Sequence, residues 1–269
     1  MGAYGYRPAL MAADLAIELA ALKGVGCVGV RNSHHLGMAA AFALRAAEAG
    51  MIGLVTTNSL PQIAPPGGRQ AVVGNNPYAI AVPRVGRRHP IVVDIALTEA
   101  RFGTSAVAAM NRPRLAPGLA LDSRGLPTTD PKAAMASGIL TAIGGQKGYG
   151  LAVAAEVLAG ALTGSPVARD SSAHRRSNGG VGHLVIAIQP DFFIDWRSFR
   201  VAVETLCSHI KQTPTTVEGA EVFLPGELGW RTFQSRSRHG IPLPRALAEE
   251  LVRLGGRMRV APPAALMTR

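Results

Sequence analysis

Apolar residues follow helical spacing and then strand spacing, twice over, in the first sixty residues of the chain. Residues 8–23 carry an apolar side chain every three or four positions, which predicts an amphipathic helix that ends at Gly24. Residues 26–30 alternate small and β-branched side chains and predict a buried strand. Residues 38–48 and 51–55 repeat this order as a second helix and a second strand. The predicted apolar face of the first helix consists of Leu10, Ala13, Leu15, Ile17, Leu19 and Leu22.

The rest of the chain alternates short apolar runs with stretches rich in proline and glycine. The predicted strands span residues 78–82, 90–94, 183–188 and 221–224, and the predicted helices span residues 98–110, 132–137, 148–162, 196–210 and 243–254. The helix at 148–162 is apolar on most sides, which predicts that it is buried. Residues 60–76 and 112–131 are predicted to be irregular. This order favours an α/β protein with a mixed β-sheet covered by helices, in a single domain over residues 1–269.

The net charge of +11 raises the possibility of a nucleic-acid partner. However, 24 of the 28 basic residues are Arg and 4 are Lys, and they are scattered along the chain with few aromatic residues between them. No helix-turn-helix, zinc-finger or RNA-binding motif accompanies them, so a nucleic-acid binder is the least favoured class. A solvated basic surface that attracts anionic cofactors and acids is the better explanation.

Hydropathy and cysteine content bear on the cellular compartment. The sequence has no run of 18 or more apolar residues and no charged segment followed by a cleavable apolar run near its first residue. We therefore expect no membrane span and no secretion signal. The two cysteines, Cys27 and Cys207, are far apart in sequence. Because Cys27 falls in a predicted core strand, we expect a buried structural thiol, which fits a reducing cytoplasm.

The chemistry-bearing segment is Arg31-Asn32-Ser33-His34-His35-Leu36-Gly37, between the first predicted strand and the second predicted helix. Polar side chains and free backbone N–H groups converge where a strand ends and a helix begins. Ser33 is a candidate helix cap, and the two imidazoles titrate near neutral pH. From these residues alone, a histidine that caps or packs is the alternative to a catalytic one.

Five further motifs follow this segment in order: Thr57-Asn58-Ser59, Pro65-Pro66-Gly67-Gly68, Gly74-Asn75-Asn76-Pro77, Pro127-Thr128-Thr129-Asp130-Pro131 and Gly144-Gly145-Gln146-Lys147-Gly148-Tyr149-Gly150. With these motifs the chain resembles the second type of malate/L-lactate dehydrogenase family, which is distinct from the Rossmann-fold lactate dehydrogenases. This family includes sulfolactate, ureidoglycolate and diketogulonate dehydrogenases and piperideine-carboxylate reductase. The resemblance extends over residues 2–227.

The resemblance implies hydride transfer between NAD or NADP and a small 2-hydroxy or 2-oxo acid, or the matching imine, in a homodimer. It implies that His35 is the proton donor and acceptor, a role that suits an imidazole. The cofactor contacts that it implies are Ser59, Asp94, Ile95, Ala96 and Lys147. The sequence has no Gly-x-Gly-x-x-Gly after a strand, so a Rossmann dinucleotide site is not predicted.

Other chemistry-bearing residues receive local structural interpretations. His183 begins a predicted strand and is expected to cap or pack, and Glu227 after Pro225-Gly226 is more readily a turn-capping carboxylate than a cofactor contact. His, Cys and acidic residues do not recur at metal-ligand spacing, so no metal is expected. Lys147 is not followed by Ser or Thr, which argues against a nucleoside-triphosphatase loop.

The chain departs from the family pattern in the parts that would hold a substrate carboxylate. The helical segment with a Ser-His-Gly motif and an arginine is expected before its first residue, so the domain is expected to be truncated relative to the family. Thr98 stands where the family pattern has serine, and Leu119 stands where it has tryptophan. Residues 103–104 stand where a lysine is expected. A carboxylate without its arginine loses a charge-assisted clamp. The alternative function is therefore a catalytically silent remnant that folds or dimerises without turnover.

Overall fold

The structure is a computed structural model, and it describes residues 4–86, 88–100, 114–171 and 179–263. The chain divides into two compact units, residues 1–227 and residues 228–269. The prediction of one catalytic domain over residues 1–269 stays a prediction. None of the described helices is long and apolar enough to cross a membrane.

The described part of the first unit contains both helices and strands. Its helical segments are α1 (Tyr6–Lys23), α2 (Ala40–Glu48), α3 (Pro131–Ser137), α4 (Gln146–Ala155), a π-helical segment (Glu156–Ala161), a 3₁₀ turn (Pro190–Phe192) and α5 (Trp196–Lys211). Its strands are β1 (Val25–Ser33), β2 (Ile52–Thr57), β3 (Pro61–Ile63), β4 (Val73–Gly74), β5 (Tyr78–Val82), β6 (Ile91–Ile95), β7 (Ala120–Leu121), β8 (Pro127–Thr128), β9 (Ile139–Leu140) and β10 (Val181–Ile188). Most predicted elements are confirmed to within a few residues at their ends.

Two β-sheets organise the described part of the first unit. The larger has the order β1-β10-β2-β5-β6, and every neighbouring pair in it is antiparallel. The smaller has the order β4-β3-β9-β7-β8 and contains one parallel pair, β3 with β9. The predicted mixed α/β architecture is confirmed, and the parallel pairing lies in the smaller sheet. Strands β3, β4, β7 and β8 fall in segments that were predicted to be irregular.

Helices α1 and α2 pack on the larger sheet through alanine. A cluster of buried alanines from both helices meets Val55, Val185 and the alanines of β5. The helix axis comes close to the sheet at Gly26, where a Cβ would overlap the carbonyl oxygen of Ala16. The predicted face of α1 is therefore partly wrong: Leu10 and Ile17 pack against this cluster, but several other large apolar side chains point away from the sheet. The exposed ones are Met11, Leu15, Leu19 and Leu22.

The predicted helix at 148–162 changes its winding part-way. It is α-helical as α4 and continues as the π-helical segment, which contacts β10 and β2 on the sheet face opposite α1. The prediction that this helix is buried on most sides is wrong, because Leu151, Val153, Ala154, Val157, Ala161 and Leu162 are all exposed. Leu151, Val157 and Leu162 are 49%, 54% and 66% exposed.

Three further predictions need correction or lie outside the described residues. Cys27 is exposed rather than buried, because β1 is the edge strand of the larger sheet. No strand forms at 221–224; there the Pro225 carbonyl accepts a hydrogen bond from the Val92 amide, and α6 (Glu227–His239) begins two residues later. The helix predicted at 98–110 falls mostly on residues that are not described.

The second unit consists of helices in its described residues. Most of α6 lies in it, and α7 (Arg245–Met258) follows. The rings of Trp230 and Phe233, one helical turn apart on α6, stack at 5.5 Å. The predicted helix at 243–254 corresponds to α7, whereas α6 was not predicted.

Candidate active site

Several candidate residues come to one edge of the larger sheet. Because β1 and β2 both run antiparallel to β10, they run parallel to each other, and the next two pairings give β6 the same direction. The carboxyl ends of these three strands therefore meet at one edge. His35 lies two residues after β1, Ser59 lies two residues after β2, and Ile95 ends β6.

His35 lies on the exposed loop between β1 and α2. Its Nδ1 accepts a hydrogen bond from the amide of Gly37 at 2.9 Å. The backbone just before it packs against Gly5, where a Cβ would overlap the carbonyl oxygen of His34. This tight contact leaves the loop little room to shift toward α1. His34 itself is half-buried, and its ring centroid lies 6.4 Å from that of Tyr4.

Ser33 and His183 are buried beneath this loop. Ser33 was predicted to cap a helix, which is wrong, because it is the buried last residue of β1 and α2 begins only at Ala40. His183 on β10 is fully buried, as the packing interpretation predicted. Its Nε2 lies 2.9 Å from the Ser33 hydroxyl, and its Nδ1 lies 2.8 Å from the Thr57 hydroxyl. Burial, together with the nearby positive charge of His35, lowers the pKa of His183 to about 4.

Ser59 is held by the Gly74-Asn75-Asn76 turn. Its amide donates to Oδ1 of Asn76 at 2.9 Å, and its hydroxyl donates to Oδ1 of Asn75 at 2.7 Å. Gly74 has to be glycine here, because a Cβ would overlap the Ser59 hydroxyl oxygen. The hydroxyl oxygen keeps acceptor capacity for a further group.

A buried carboxylate underlies this turn. Glu156, the first residue of the π-helical segment, is 5% exposed. It accepts hydrogen bonds from Nδ2 of Asn76 at 2.6 Å, from Nδ2 of Asn58 at 3.3 Å and from the amide of Ala168 at 2.8 Å. Asn58 in turn accepts from the Gly182 amide at 2.8 Å. Glu156 therefore connects the Ser59 turn to β10, and π-helical turns are frequent at functional sites.

The segment after β6 reaches the same turn. The half-buried Asp94 pairs with Ala79 across β5 and β6. Directly after the exposed Ile95 and the half-buried Ala96, the Leu97 amide donates to the Asn75 carbonyl at 2.8 Å. The structure thus brings Asp94, Ile95 and Ala96 to the side of Ser59.

Lys147 is joined to this segment through the chain that precedes it. The amide of Ile143 donates to the carbonyl of Leu97 at 3.0 Å, and that of Gly144 donates to Oε1 of Glu99 at 3.1 Å. Lys147 follows as an exposed residue in the first turn of α4. A cation in the first turn of a helix stands beside free backbone N–H groups, a combination that binds anions.

Glu227 does not belong to this edge. Its Oε2 accepts the Leu224 amide at 3.0 Å, and its carboxylate pairs with Lys211. These contacts match the turn-capping interpretation. Within the described residues, His, Cys, Asp and Glu side chains do not form a group of three or more that could hold a metal ion.

Comparison with known proteins decides the family. Residues 1–252 match the family described as malate/L-lactate dehydrogenase. The chain belongs to this family. It is 35% identical over 251 residues to the L-sulfolactate dehydrogenase of Methanothermobacter thermautotrophicus, covering 93% of this chain and 71% of that protein. It is 33% identical over 256 residues to the malate dehydrogenase of Pyrococcus abyssi, covering 93% of this chain and 70% of that protein.

The solved structures agree with this assignment. The sulfolactate dehydrogenase from Methanocaldococcus jannaschii superposes with a TM-score of 0.85 at 33% identity, over 96% of this chain and 74% of that chain. As a member of the malate/L-lactate dehydrogenase family, the chain is an oxidoreductase that acts on the CH–OH group of hydroxy acids. The sequence-based family assignment is confirmed, and the alternative of a silent remnant is not favoured.

Sequence reasoning missed the buried partners of the candidate residues. Asn75 and Asn76 were recognised as part of a motif, but no role was given to them. Glu156 carried a signal that was not used: it is a lone charge inside an otherwise apolar run from 151 to 162. A charge at such a position is seldom fully buried unless it has partners. The pairing of Ser33 with His183 joins residues 150 positions apart and has no local signal.

Proposed function

We propose that the chain interconverts a 2-hydroxy acid and the matching 2-oxo acid, with NAD or NADP as the cofactor and His35 as the acid/base. The observation that carries this proposal is the convergence of His35, Ser59 and the Asp94–Ile95–Ala96 segment at one edge of the larger sheet. The substrate is an acid of the malate, lactate or sulfolactate kind. The basic surface implied by a net charge of +11 attracts such anions.

In the reductive direction, the substrate carbonyl carbon gains a hydride and its oxygen gains a proton. A bound nicotinamide cofactor would supply this hydride, and it would take a hydride back in the oxidative direction. His35 supplies the proton, and in the oxidative direction it takes the proton of the substrate hydroxyl. Because Nδ1 of His35 is engaged by the Gly37 amide, we assign the proton exchange to Nε2.

The residues around this edge suit a nicotinamide cofactor. The Ser59 hydroxyl and the Asp94 carboxylate are hydrogen-bonding groups of the kind that hold a ribose or a carboxamide. The ammonium of Lys147, in the first turn of α4, suits a phosphate. Ile95 and Ala96 add apolar surface beside these polar groups. This donor set does not discriminate NAD from NADP.

We further propose that the protein works as a homodimer. The apolar side chains that α1 turns away from the sheet support this proposal, because large exposed apolar patches mark interaction surfaces. Light scattering coupled to size exclusion at several concentrations tests it: a dimer mass supports the proposal and a monomer mass overturns it. The cytoplasmic location stays a prediction.

The experiment that tests the proposed function is turnover by wild-type protein and His35→Asn. NADH and NADPH absorbance is followed with a panel of 2-oxo acids, and with malate, lactate and sulfolactate in the oxidative direction. We expect kcat to fall by about 10²- to 10⁴-fold in His35→Asn, because a positioned acid/base contributes about that factor. His209→Asn, at an exposed position on α5, is the matched control. Unchanged turnover in His35→Asn would remove His35 from the mechanism.

A further inference from the structure

We infer that His183 is a positioning residue for His35, which it orients by accepting a hydrogen bond from Ser33 at the end of β1. This inference rests on the proposed function, because it gives His35 the acid/base role. His183 is fully buried beneath the loop, and its hydrogen bond to Ser33 connects it to the strand that carries the loop.

The hydrogen-bond network assigns the tautomer of His183. The Thr57 hydroxyl lies 2.9 Å from the carbonyl oxygens of Asn58 and Gly182, and these two acceptors take its single proton. Its oxygen is therefore the acceptor for the Nδ1–H group of His183 at 2.8 Å. That leaves Nε2 without a proton, so it accepts the hydroxyl of Ser33 at 2.9 Å. Neutral His183 thus bridges the ends of β1 and β2.

The bridge is placed where the backbone ladder is interrupted. The pairing of β1 with β10 shifts register between Val30 and Ser33. Within this irregular stretch Asn32 has a φ of 54°, a left-handed conformation that is rare outside glycine. Bulges of this kind redirect side chains and are common beside active sites. The Ser33–His183 hydrogen bond therefore joins β1 to β10 at the stretch where their backbone hydrogen bonds are interrupted.

Close backbone contacts also restrict the position of the loop. A Cβ at Gly179 would overlap the Ser33 carbonyl oxygen, and Gly5 packs equally closely against the His34 carbonyl. These contacts limit where Ser33 and His34 can go, whereas the hydrogen bond to His183 selects the orientation. Residues that orient a functional histidine from behind typically change activity by about 10- to 100-fold when they are removed.

The chain offers variants that separate the two ring nitrogens. The amide of His183→Asn can reproduce Nδ1–H but does not reach Ser33, whereas Oε1 of His183→Gln can accept the Ser33 hydroxyl. Ser33→Ala removes the donor itself with little change in volume. His209→Asn and Ser208→Ala, both exposed on α5, are matched controls.

We expect kcat to fall by about 10- to 100-fold in Ser33→Ala and His183→Asn, with the KM for the cofactor changed by less than about twofold. The double variant loses no more than either single one, because both break the same bond. His183→Gln retains kcat to within about threefold, since the bond to Ser33 is kept. A solely structural role would instead lower the thermal stability of Ser33→Ala, His183→Asn and His183→Gln. It would also raise the KM values for both the substrate and the cofactor.

A second readout does not depend on turnover. Amide hydrogen exchange of residues 34–37, measured on each variant, reports the order of the loop. We expect exchange there to be about tenfold faster in Ser33→Ala and His183→Asn but unchanged in His183→Gln. Unchanged kcat and unchanged loop exchange in Ser33→Ala and His183→Asn, with His35→Asn inactive, would overturn the positioning role and leave the proposed function standing. An active His35→Asn would overturn both.

Discussion

Two buried regions of the first unit are built by opposite means. Between α1, α2 and the larger sheet, buried alanines meet small strand residues, and close backbone approach replaces side-chain volume. At the edge of the same sheet, Ser33, Thr57 and Glu156 are equally buried but polar, and hydrogen bonds hold them. The first region is sensitive to volume and the second to the number and direction of hydrogen bonds. The candidate catalytic loop lies over the second.

The largest expected effect comes from acidifying the polar region. Burial and His35 lower the pKa of His183 from 6.5 to about 4, so the unfolded chain binds this proton first as the pH falls. The contribution of His183 is complete above pH 6.5 and is lost as the pH falls to about 4. The loss amounts to about 3 kcal/mol. We expect the free energy of unfolding, measured by urea titration across this range, to fall steeply for wild-type protein and much less for His183→Gln.

His89 contributes in the same direction, because burial also lowers its pKa. The difference between wild-type protein and His183→Gln therefore isolates His183. His209→Gln is the control and should keep the wild-type slope. If the free energy of unfolding of His183→Gln fell with pH as steeply as that of wild-type protein, the His183 ring would not be the buried neutral group of the polar region.

Adding one methyl group breaks the apolar region. In Gly26→Ala the new Cβ meets the carbonyl oxygen of Ala16 on α1, and neither backbone can yield without moving the helix. We expect the free energy of unfolding to fall by about 2–3 kcal/mol. Gly150→Ala on α4, where a Cβ meets nothing within 4 Å, should instead gain up to about 1 kcal/mol. Chemical denaturation of both variants compares them, and equal stabilities would contradict the close approach of α1.

Changing one atom tests the polar region without changing its volume. Glu156→Gln turns an acceptor oxygen into an NH₂ group that faces N–H donors from Asn58, Asn76 or Ala168. We expect a loss of about 2 kcal/mol in the free energy of unfolding, because one donor is left facing another. Glu250→Gln, exposed on α7, should stay within about 0.5 kcal/mol of wild-type protein. A loss in both variants, or in neither, would exclude a special role for the Glu156 site.

A carboxylate held by guanidinium groups gives the smallest effect. Hydrogen bonds from Arg84 and Arg88 lower the pKa of Glu204 from 4.5 to about 2. Its contribution is therefore present above pH 4.5 and is lost as the pH falls toward 2. After allowance for solvent screening, Glu204→Gln should cost about 1 kcal/mol at pH 7. Acid unfolding curves of the two proteins should converge below pH 2, and a constant difference down to that pH would contradict the assignment.

The sequence was informative where local pattern determines structure. Residues 78–82 alternate strictly between large and small apolar side chains, and β5 has the predicted bounds. The face of α1 was mispredicted because apolar spacing ranks leucine above alanine, whereas the close approach at Gly26 requires the smaller side chain. The strand predicted at 221–224 does not form, and the Leu224 amide instead donates to Oε2 of Glu227 in a turn.

The site could be predicted only in part for a related reason. Motif order located His35 and Ser59, which come to one edge because β10, far along the chain, inserts between β1 and β2. Ser33, Asn58 and Glu156 have side-chain partners that lie 80 to 150 positions away in the sequence. Their burial follows from strand order, which the sequence pattern does not determine.

We propose that the polar edge of the larger sheet, and not the alanine-packed layer, forms the cofactor site. The most direct test is hydrogen-exchange mass spectrometry of the full chain with and without saturating NADH or NADPH. We predict slower exchange in residues 34–37, 58–60, 74–76 and 94–98, and no change in α1 or α2. Protection confined to the helical layer or to the second unit, with these four segments unchanged, would contradict the account.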